Sequence, residues 1–422
     1  MDEEDFVIVG RDSPRYLSDI NNVVEEASDE LWTINKHIHD NPELGYEEHD
    51  AHALLTKFMK SKGGWEVTAS AYGIETAWIA VYDSGKKGPV VSFNAEMDAL
   101  PEIGHACGHN LIATASLAAG LATAEIMKQH SLKGKVVLFG TPAEEGGGGK
   151  IRLLKAGAYK DHGVDISLIS HPGISHDSAL VRTTAYTRFE VEYFGRAAQA
   201  ANSPWMGINA LDALVMAYNG LSVLRQQTML GDIIQGHITN GGLAPNIIHA
   251  YAAGTFITRA NTASRLEELQ RKVDACFRAG AEATGARLKM TPVQSYANHV
   301  PNRVLGASYV RYWNWLDPPR RIPTDQEVDA IQGRSNASTD QGDISHAMPS
   351  VSASFAIPPG PEKNGPHSPD FEKASGTREA FERCLRTGKA LAGTAVDVLT
   401  TPGLLAEVKE QWKKDMDASS EK

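Results

Sequence analysis

Only three cysteines, Cys107, Cys276 and Cys384, occur in 422 residues, far apart and without a paired spacing, so no disulfide framework holds this chain together. Cys107 is left free to serve as a ligand. No apolar stretch reaches the roughly 18 residues of a membrane span, and the acidic start, Met1 to Asp5, has the wrong charge for a signal peptide. The chain is therefore expected to be soluble and cytoplasmic. Positive charge is the scarcer sign: 41 Lys and Arg against 52 Asp and Glu leave a net −11, which argues against nucleic acid and anionic membranes as partners. No Gly-x-Ser-x-Gly elbow, no His-Glu-x-x-His helix and no Cys-x-x-Cys occur, which sets aside serine hydrolases of the α/β type, zincins and zinc ribbons. Internal repeats and low-complexity tracts are also missing. The 42% of hydrophobic residues suffice for ordinary cores in two or three domains.

Against that background one stretch stands out, Asn94-Ala-Glu-Met-Asp-Ala-Leu-Pro-Glu-Ile-Gly-His-Ala-Cys-Gly-His-Asn110. It follows the short apolar run Pro89 to Phe93, which reads as a buried strand, and it precedes the Ala- and Leu-rich helix Leu111 to Met127. Strand, loop and helix in that order place the loop at the carboxyl end of a parallel sheet, where α/β proteins build their sites. One thiol and two imidazoles, His105, Cys107 and His109, fall within five positions there, and thiolate and imidazole are preferred zinc ligands.

The rest of the chain reads as follows. The first thirteen or so residues are acidic and read as frayed. Helical spacing runs from Tyr16 to Ile38, and His39 to Glu48 forms a turn before a second helix at about His52 to Lys62. Histidine and acids in such a turn are more often caps and solvated surface than a site. Strands are expected at Glu66–Ala69, Thr76–Tyr82, Lys135–Gly140 and Asp165–Ser170. The strand from Lys135 ends in Thr141-Pro-Ala-Glu-Glu-Gly-Gly-Gly-Gly-Lys150, whose adjacent Glu144 and Glu145 are either a second piece of the site or a solvated acidic turn. The glycine run ending in Lys150 is not a phosphate loop, because Ile151 stands where Ser or Thr should bind magnesium. The strand from Asp165 ends in His171, the third in a row to end in a metal-type ligand. From Thr187 the texture becomes β-α-β-β-α-β, the ferredoxin-like order, with strands at Thr187–Phe194, Ile233–Thr239, Ile247–Thr258 and Arg287–Met290 and helices at Ala210–Leu224 and Leu266–Ala281. It reads as an inserted domain without a metal cluster. The sheet then resumes with a helix at Asn302–Trp315, a polar turn at Asn336–Ser345, a strand at Val351–Ile357, a loop at Pro358–Pro369 holding His367, and a core helix at Arg378–Leu399. The expected division is 1–186 and 296–422 for the metal-binding domain and 187–295 for the insertion. Dispersed ligand types at successive strand ends fit a catalytic metal centre better than a structural one.

Together His39-Asp-Asn-Pro-Glu-Leu-Gly, Met97-Asp-Ala-Leu-Pro, His105-Ala-Cys-Gly-His, Pro142-Ala-Glu-Glu-Gly and His171-Pro resemble the metal-dependent aminoacylase and carboxypeptidase family of amidohydrolases. The likeness is nearest to its eukaryotic dipeptidase branch, which acts on β-alanyl-lysine and related basic dipeptides. It runs from about residue 20 to 415, and Pro101 to Ala113, Tyr218 to Gln227 and Pro245 to Ile248 also look similar to that branch. The resemblance implies an α/β fold with a zinc-peptidase-like mixed sheet, helices on both faces and an inserted ferredoxin-like α+β lid. It implies two divalent ions, zinc first with manganese, cobalt or nickel as alternatives, held by Cys107 as bridge with His109, Glu145, His171 and His367. Glu144 would be general base toward the metal-activated water, Asp98 an orienting carboxylate, and the lid the dimer contact. Asn246 and Arg259 are candidates to face a small carboxylate-bearing substrate, or to make structural hydrogen bonds. The expected activity is cleavage of an amide bond in an N-acyl amino acid or dipeptide.

One departure from the family matters. Its lid motif reads Gly-x-x-x-His-Ala-Ala, and the histidine stabilises the oxyanion; here Gly195 to Ala201 carries Gln199 instead, and a second lid histidine is replaced by Gln235. Glutamine donates a hydrogen bond but cannot become a cation. Condensation, cyclisation or isomerisation on the same scaffold is therefore the alternative reading, with a catalytically silent binding protein behind it.

Overall fold

The helical spacing from Tyr16 to Ile38 folds as two helices, α1 (Leu17–Glu26) and α2 (Ser28–Asp40), parted only at Ala27. Each buries its apolar stripe, Leu17, Ile20 and Val24 in the first and Leu31, Ile34 and Ile38 in the second. The computed structural model describes residues 13–420, and the acidic segment before Ser13 lies outside the described residues. Next come α3 (His49–Ser61), β1 (Trp65–Ala69), β2 (Trp78–Asp83), β3 (Val90–Glu96), α4 (His109–Gln129), β4 (Lys135–Thr141), α5 (Gly149–Lys155), α6 (Ala158–Asp161) and β5 (Ile166–Gly173). The middle of the chain holds β6 (Ala185–Phe194), β7 (Ala198–Gln199), α7 (Ala210–Leu224), β8 (Ile233–Asn240), β9 (Ile247–Ile248), β10 (Tyr251–Ala260), α8 (Ala263–Thr284) and β11 (Arg287–Tyr296). It closes with α9 (Arg303–Trp315), α10 (Gln326–Gln332), α11 (Gln341–Ala347), β12 (Ser350–Ala356), α12 (Pro369–Ser375), α13 (Arg378–Thr400) and α14 (Leu404–Ser420).

These elements form two compact units. The first takes the chain up to Val181 with Val300–Arg334 and Ala347–Lys413; the second takes Arg182–His299, Ser335–His346 and the chain after Lys413. The bounds at 182 and 299 differ from the 187 and 295 read from the sequence, and the second unit also takes the polar turn near residue 340. The reason is hydrogen bonding: Ser335 N–H donates to Arg182 O at 2.9 Å and Thr184 N–H to Ala337 O at 2.9 Å. That turn is not all loop, since α11 lies in it.

The first unit is built on a six-stranded mixed sheet in the order β1-β2-β4-β3-β5-β12, with β4, β3, β5 and β12 parallel and β2 antiparallel to both its neighbours, β1 and β4. Side chains alternate between the two faces of a strand. Val136 and Leu138 of β4 therefore join the core that includes Leu111, Ala115 and Leu117 of α4, while Phe139 points the other way and stacks on Tyr159 of α6, ring centroids 4.2 Å apart. Helices thus cover both faces. By length and composition α4 could cross a membrane, yet it is buried within this unit against β3, β4, β5 and α13, so its apolarity is that of a core helix.

The second unit is a four-stranded antiparallel sheet in the order β11-β6-β10-β8, with α7 and α8 packed on each other and on the sheet. Phe189, Phe256 and Phe277 meet with centroids 4.8 to 6.1 Å apart and centre its core. The element order is ferredoxin-like, and β7 with β9 adds a separate two-stranded ribbon. The expected strand Ile247–Thr258 is two, because β9 pairs with β7 and β10 with β6.

Candidate metal centre

Two strand ends and one helix start converge on the carboxylate of Asp98, which lies just past β3 and is closed off from solvent. Its Oδ1 accepts the backbone N–H of Glu144 and its Oδ2 that of Glu145, each at 3.0 Å, and Oδ1 is 3.2 Å from Nδ1 of His109. Burial presses this carboxyl toward its neutral form, but His109 and the two N–H groups outweigh that and hold it below the usual carboxylate range. One acid therefore fixes both the loop after β4 and the imidazole at the start of α4. Between Cys107 and His109 the chain needs glycine: Gly108 has φ +76°, and a Cβ there would lie 2.6 Å from Cγ of Pro172.

Around this hub the candidate ligands form overlapping groups whose donor atoms lie within 4.8 Å of one another: Cys107, His109 and His171; Cys107, Glu145 and His367; and His109, Glu144 and Glu145. Cys107 Sγ is 3.3 Å from Nε2 of His171, whose Nδ1 faces the carbonyl oxygen of Pro172 at 2.8 Å. His367 has φ +67° and donates its backbone N–H to Ala106 O at 2.8 Å, which brings its Nε2 to 3.4 Å from Glu145 Oε1. Thus Cys107, His109, Glu144, Glu145, His171 and His367 come together from four segments of chain. Cys107 belongs to two of the groups.

The donor set suits a divalent cation, and one observation tests the fit. Nε2 of His109 and Oε1 of Glu145 are both buried, 3.6 Å apart, and among the described residues neither makes a well-formed hydrogen bond, the carboxylate oxygen meeting His367 Nε2 only at 3.4 Å. Burial presses His109 toward neutrality, but Glu96 and Asp98 outweigh it and raise its pKa well above the usual value; the negative field that would hold a proton there would equally hold a metal ion. Burial, reinforced by Glu145, pushes the Cys107 thiol well up, and burial holds His171 down. A thiolate at Cys107 therefore needs a cation beside it.

The other residues singled out in the sequence belong to none of these groups. His105 is buried in none of these groups, and burial lowers its pKa to about 3. Gln199 is exposed in the second unit, where its Oε1 accepts the N–H of Asn202. Asn246 is exposed, its carbonyl accepting the N–H of Ala200 at 3.0 Å. Arg259 lies over the Tyr186 ring and donates to Ser338 Oγ at 2.8 Å within that unit. A cleft of about 1210 Å³ along α9 and α10, lined by Val310, Trp315 and Arg321, includes none of the candidate ligands.

Sequence reasoning missed two things. The turn from His39 to Glu48 is neither cap nor surface alone. Glu48 is buried and accepts Ala143 N–H at 2.8 Å, Tyr46 hydroxyl donates to Gly147 O at 2.6 Å, and Glu43 O accepts Ala99 N–H at 2.8 Å, so the turn braces both site loops. The second omission is Glu96, 3.4 Å from Nε2 of His109 and ion-paired with Lys150. An acid inside a seven-residue strand buried throughout gives no signal in an apolar pattern.

With this geometry in view, residues 92–239 match the model of peptidase family M20/M25/M40. The chain is 38% identical to mouse Xaa-Arg dipeptidase over 401 residues, 92% of this chain and 90% of that one. It is 31% identical over 304 residues to one chain of the p-aminobenzoyl-glutamate hydrolase of Escherichia coli, covering 68% of this chain and 62% of the relative. Its fold is similar to that of a dinuclear metal-binding M20 peptidase from Bacillus subtilis, with TM-score 0.63, 18% identity, and 89% and 99% of the two chains covered. A likeness of this extent to a named dipeptidase, joined to the family match, makes this protein a member of peptidase family M20/M25/M40, a metal-dependent family of enzymes that hydrolyse C–N bonds.

Proposed function

We propose that the protein is a binuclear-metal dipeptidase that cleaves the amide bond of small carboxylate-bearing substrates, dipeptides ending in a basic residue foremost. The observation that carries this is the sharing of Cys107 between two ligand groups, one with His109 and His171 and one with Glu145 and His367. Cys107 with His109 and His171, and Cys107 with Glu145 and His367, would hold the two ions. Divalent ions held there would polarise the scissile carbonyl and bring the pKa of water down to about 7. The chain's own part is proton movement and orientation. Glu144, its Oε2 3.9 Å from His109 Nε2, would take the proton of the attacking water and pass it to the leaving amine, while Asp98 holds both Glu144 and His109 in place.

The preference for basic dipeptides rests on the name of the mouse relative. The second unit would act as lid and carry a homodimer contact. Support for the latter is an edge strand, β8, exposed from Gln235 to Thr239, together with a helix of the same unit, α7, that exposes Val215, Met216, Tyr218 and Val223. Purified protein loaded with zinc should hydrolyse β-alanyl-lysine or Xaa-Arg dipeptides faster than N-acetyl amino acids and lose this activity to a chelator. No turnover of either class by metal-loaded protein would favour the second reading, non-hydrolytic chemistry on the same scaffold. That reading draws on Gln199, whose side-chain oxygen is already engaged by Asn202.

A further inference from the structure

The glycine run after Glu145 and the lysine that ends it have no part in the chemistry above. Lys150 is wholly buried, with its Nζ 2.6 Å from Oε1 of Glu96, itself only 2% exposed. The backbone drives it inward. A Cβ on Gly149 would fall 1.8 Å from the carbonyl oxygen of Pro142, so only glycine lets the chain turn this tightly after β4 and open α5 toward the sheet. Glu96 arrives by strand alternation. Val91, Phe93 and Ala95 of β3 enter the main core, while Asn94 and Glu96 take the opposite face, where Asn94 Oδ1 accepts the Tyr159 hydroxyl at 3.0 Å.

Two charges taken out of water lose more hydration than their attraction easily returns, so a buried ion pair is a poor device for stability alone. Its use here lies in where it holds the carboxylate. With Oε1 on Lys150, the other oxygen, Oε2, has no hydrogen-bond partner among the described residues and stands 3.4 Å from Nε2 of His109. Nδ1 of that ring thus faces Asp98, while Nε2 faces Glu96 first and, at 3.6 Å and 3.9 Å, Glu145 and Glu144.

We propose that Lys150 is a positioning residue of the metal centre: it fixes Glu96 so that Oε2 faces Nε2 of His109, and through that oxygen sets how tightly divalent ions are held. This rests on the binuclear reading above. The test compares wild type with the double variant Lys150→Met, Glu96→Met, which replaces the pair by apolar chains of similar length, and reads thermal midpoint and zinc dissociation constant by competition with a chromogenic chelator. The expected result is a midpoint of the metal-free protein close to wild type, with zinc bound about 10- to 100-fold more weakly, the scale of losing a carboxylate that supports a metal site. Glu96→Gln, which keeps the volume and an acceptor for Lys150, carries the same expectation if the double variant does not fold. Wild-type zinc affinity in a folded variant would show the pair to be structural packing and overturn the proposal while leaving the binuclear reading in place. A wild-type protein that takes up no zinc would overturn both.

Discussion

Oδ1 of Asp98 and Nδ1 of His109 stand 3.2 Å apart, both side chains sealed from solvent, and the same carboxylate accepts the N–H groups of Glu144 and Glu145. A single side chain thus couples a candidate ligand imidazole to the loop that carries the proposed base. Asp98→Asn offers only one acceptor oxygen for these three donors. It should weaken zinc binding by about 10- to 100-fold, measured by chelator competition. Unchanged affinity would show that the loops hold themselves.

Glu144→Gln removes a proton carrier and no proposed ligand. Turnover should fall by about a hundredfold to ten-thousandfold while elemental analysis still finds close to wild-type metal content. Near-normal turnover would reassign the base.

Ligand loss should read differently. Cys107→Ala and His171→Ala should lower bound metal as well as activity, and a chelator should lower the thermal midpoint of wild type, because an ion bound only to the folded state stabilises it by mass action. Refilling with zinc should restore wild type and not the Cys107→Ala variant. Full activity in metal-free protein would refute the mechanism.

Gly108→Ala tests the turn between two candidate ligands, Cys107 and His109, without touching either. At φ +76°, with Pro172 Cγ 2.6 Å from the added Cβ, the substitution should cost on the order of 1–3 kcal/mol in denaturant unfolding and loosen the metal. Wild-type stability would mean that Pro172 yields easily.

Gln199→His bears on the reaction itself. An oxyanion donor is worth about a hundredfold to a thousandfold in turnover. If restoring a histidine raises dipeptide hydrolysis well above wild type, the enzyme has moved from hydrolysis toward condensation or cyclisation. Equal or lower hydrolysis keeps it a dipeptidase.

Local chemistry settled much of this protein before folding enters. The apolar runs from Pro89, Lys135, Asp165 and Val351 specify buried strands, the 3.6-residue spacing of α7 and α13 specifies helices, and thiol, imidazole and carboxylate at successive strand ends mark where metal chemistry belongs. Side chains of those types read the same in any context. Tertiary structure decided which of them meet. Cys107 and His171 are 64 positions apart and 3.3 Å apart in space only because β3 and β5 run parallel. His105, as ligand-like in sequence as His109, lies outside the ligand groups because Gly108 and the start of α4 turn the chain after it. The brace from Glu48 and the Lys150–Glu96 pair were invisible for the same reason: a charge buried by partners 95 and 54 positions away has a role that exists only after the chain has brought them together.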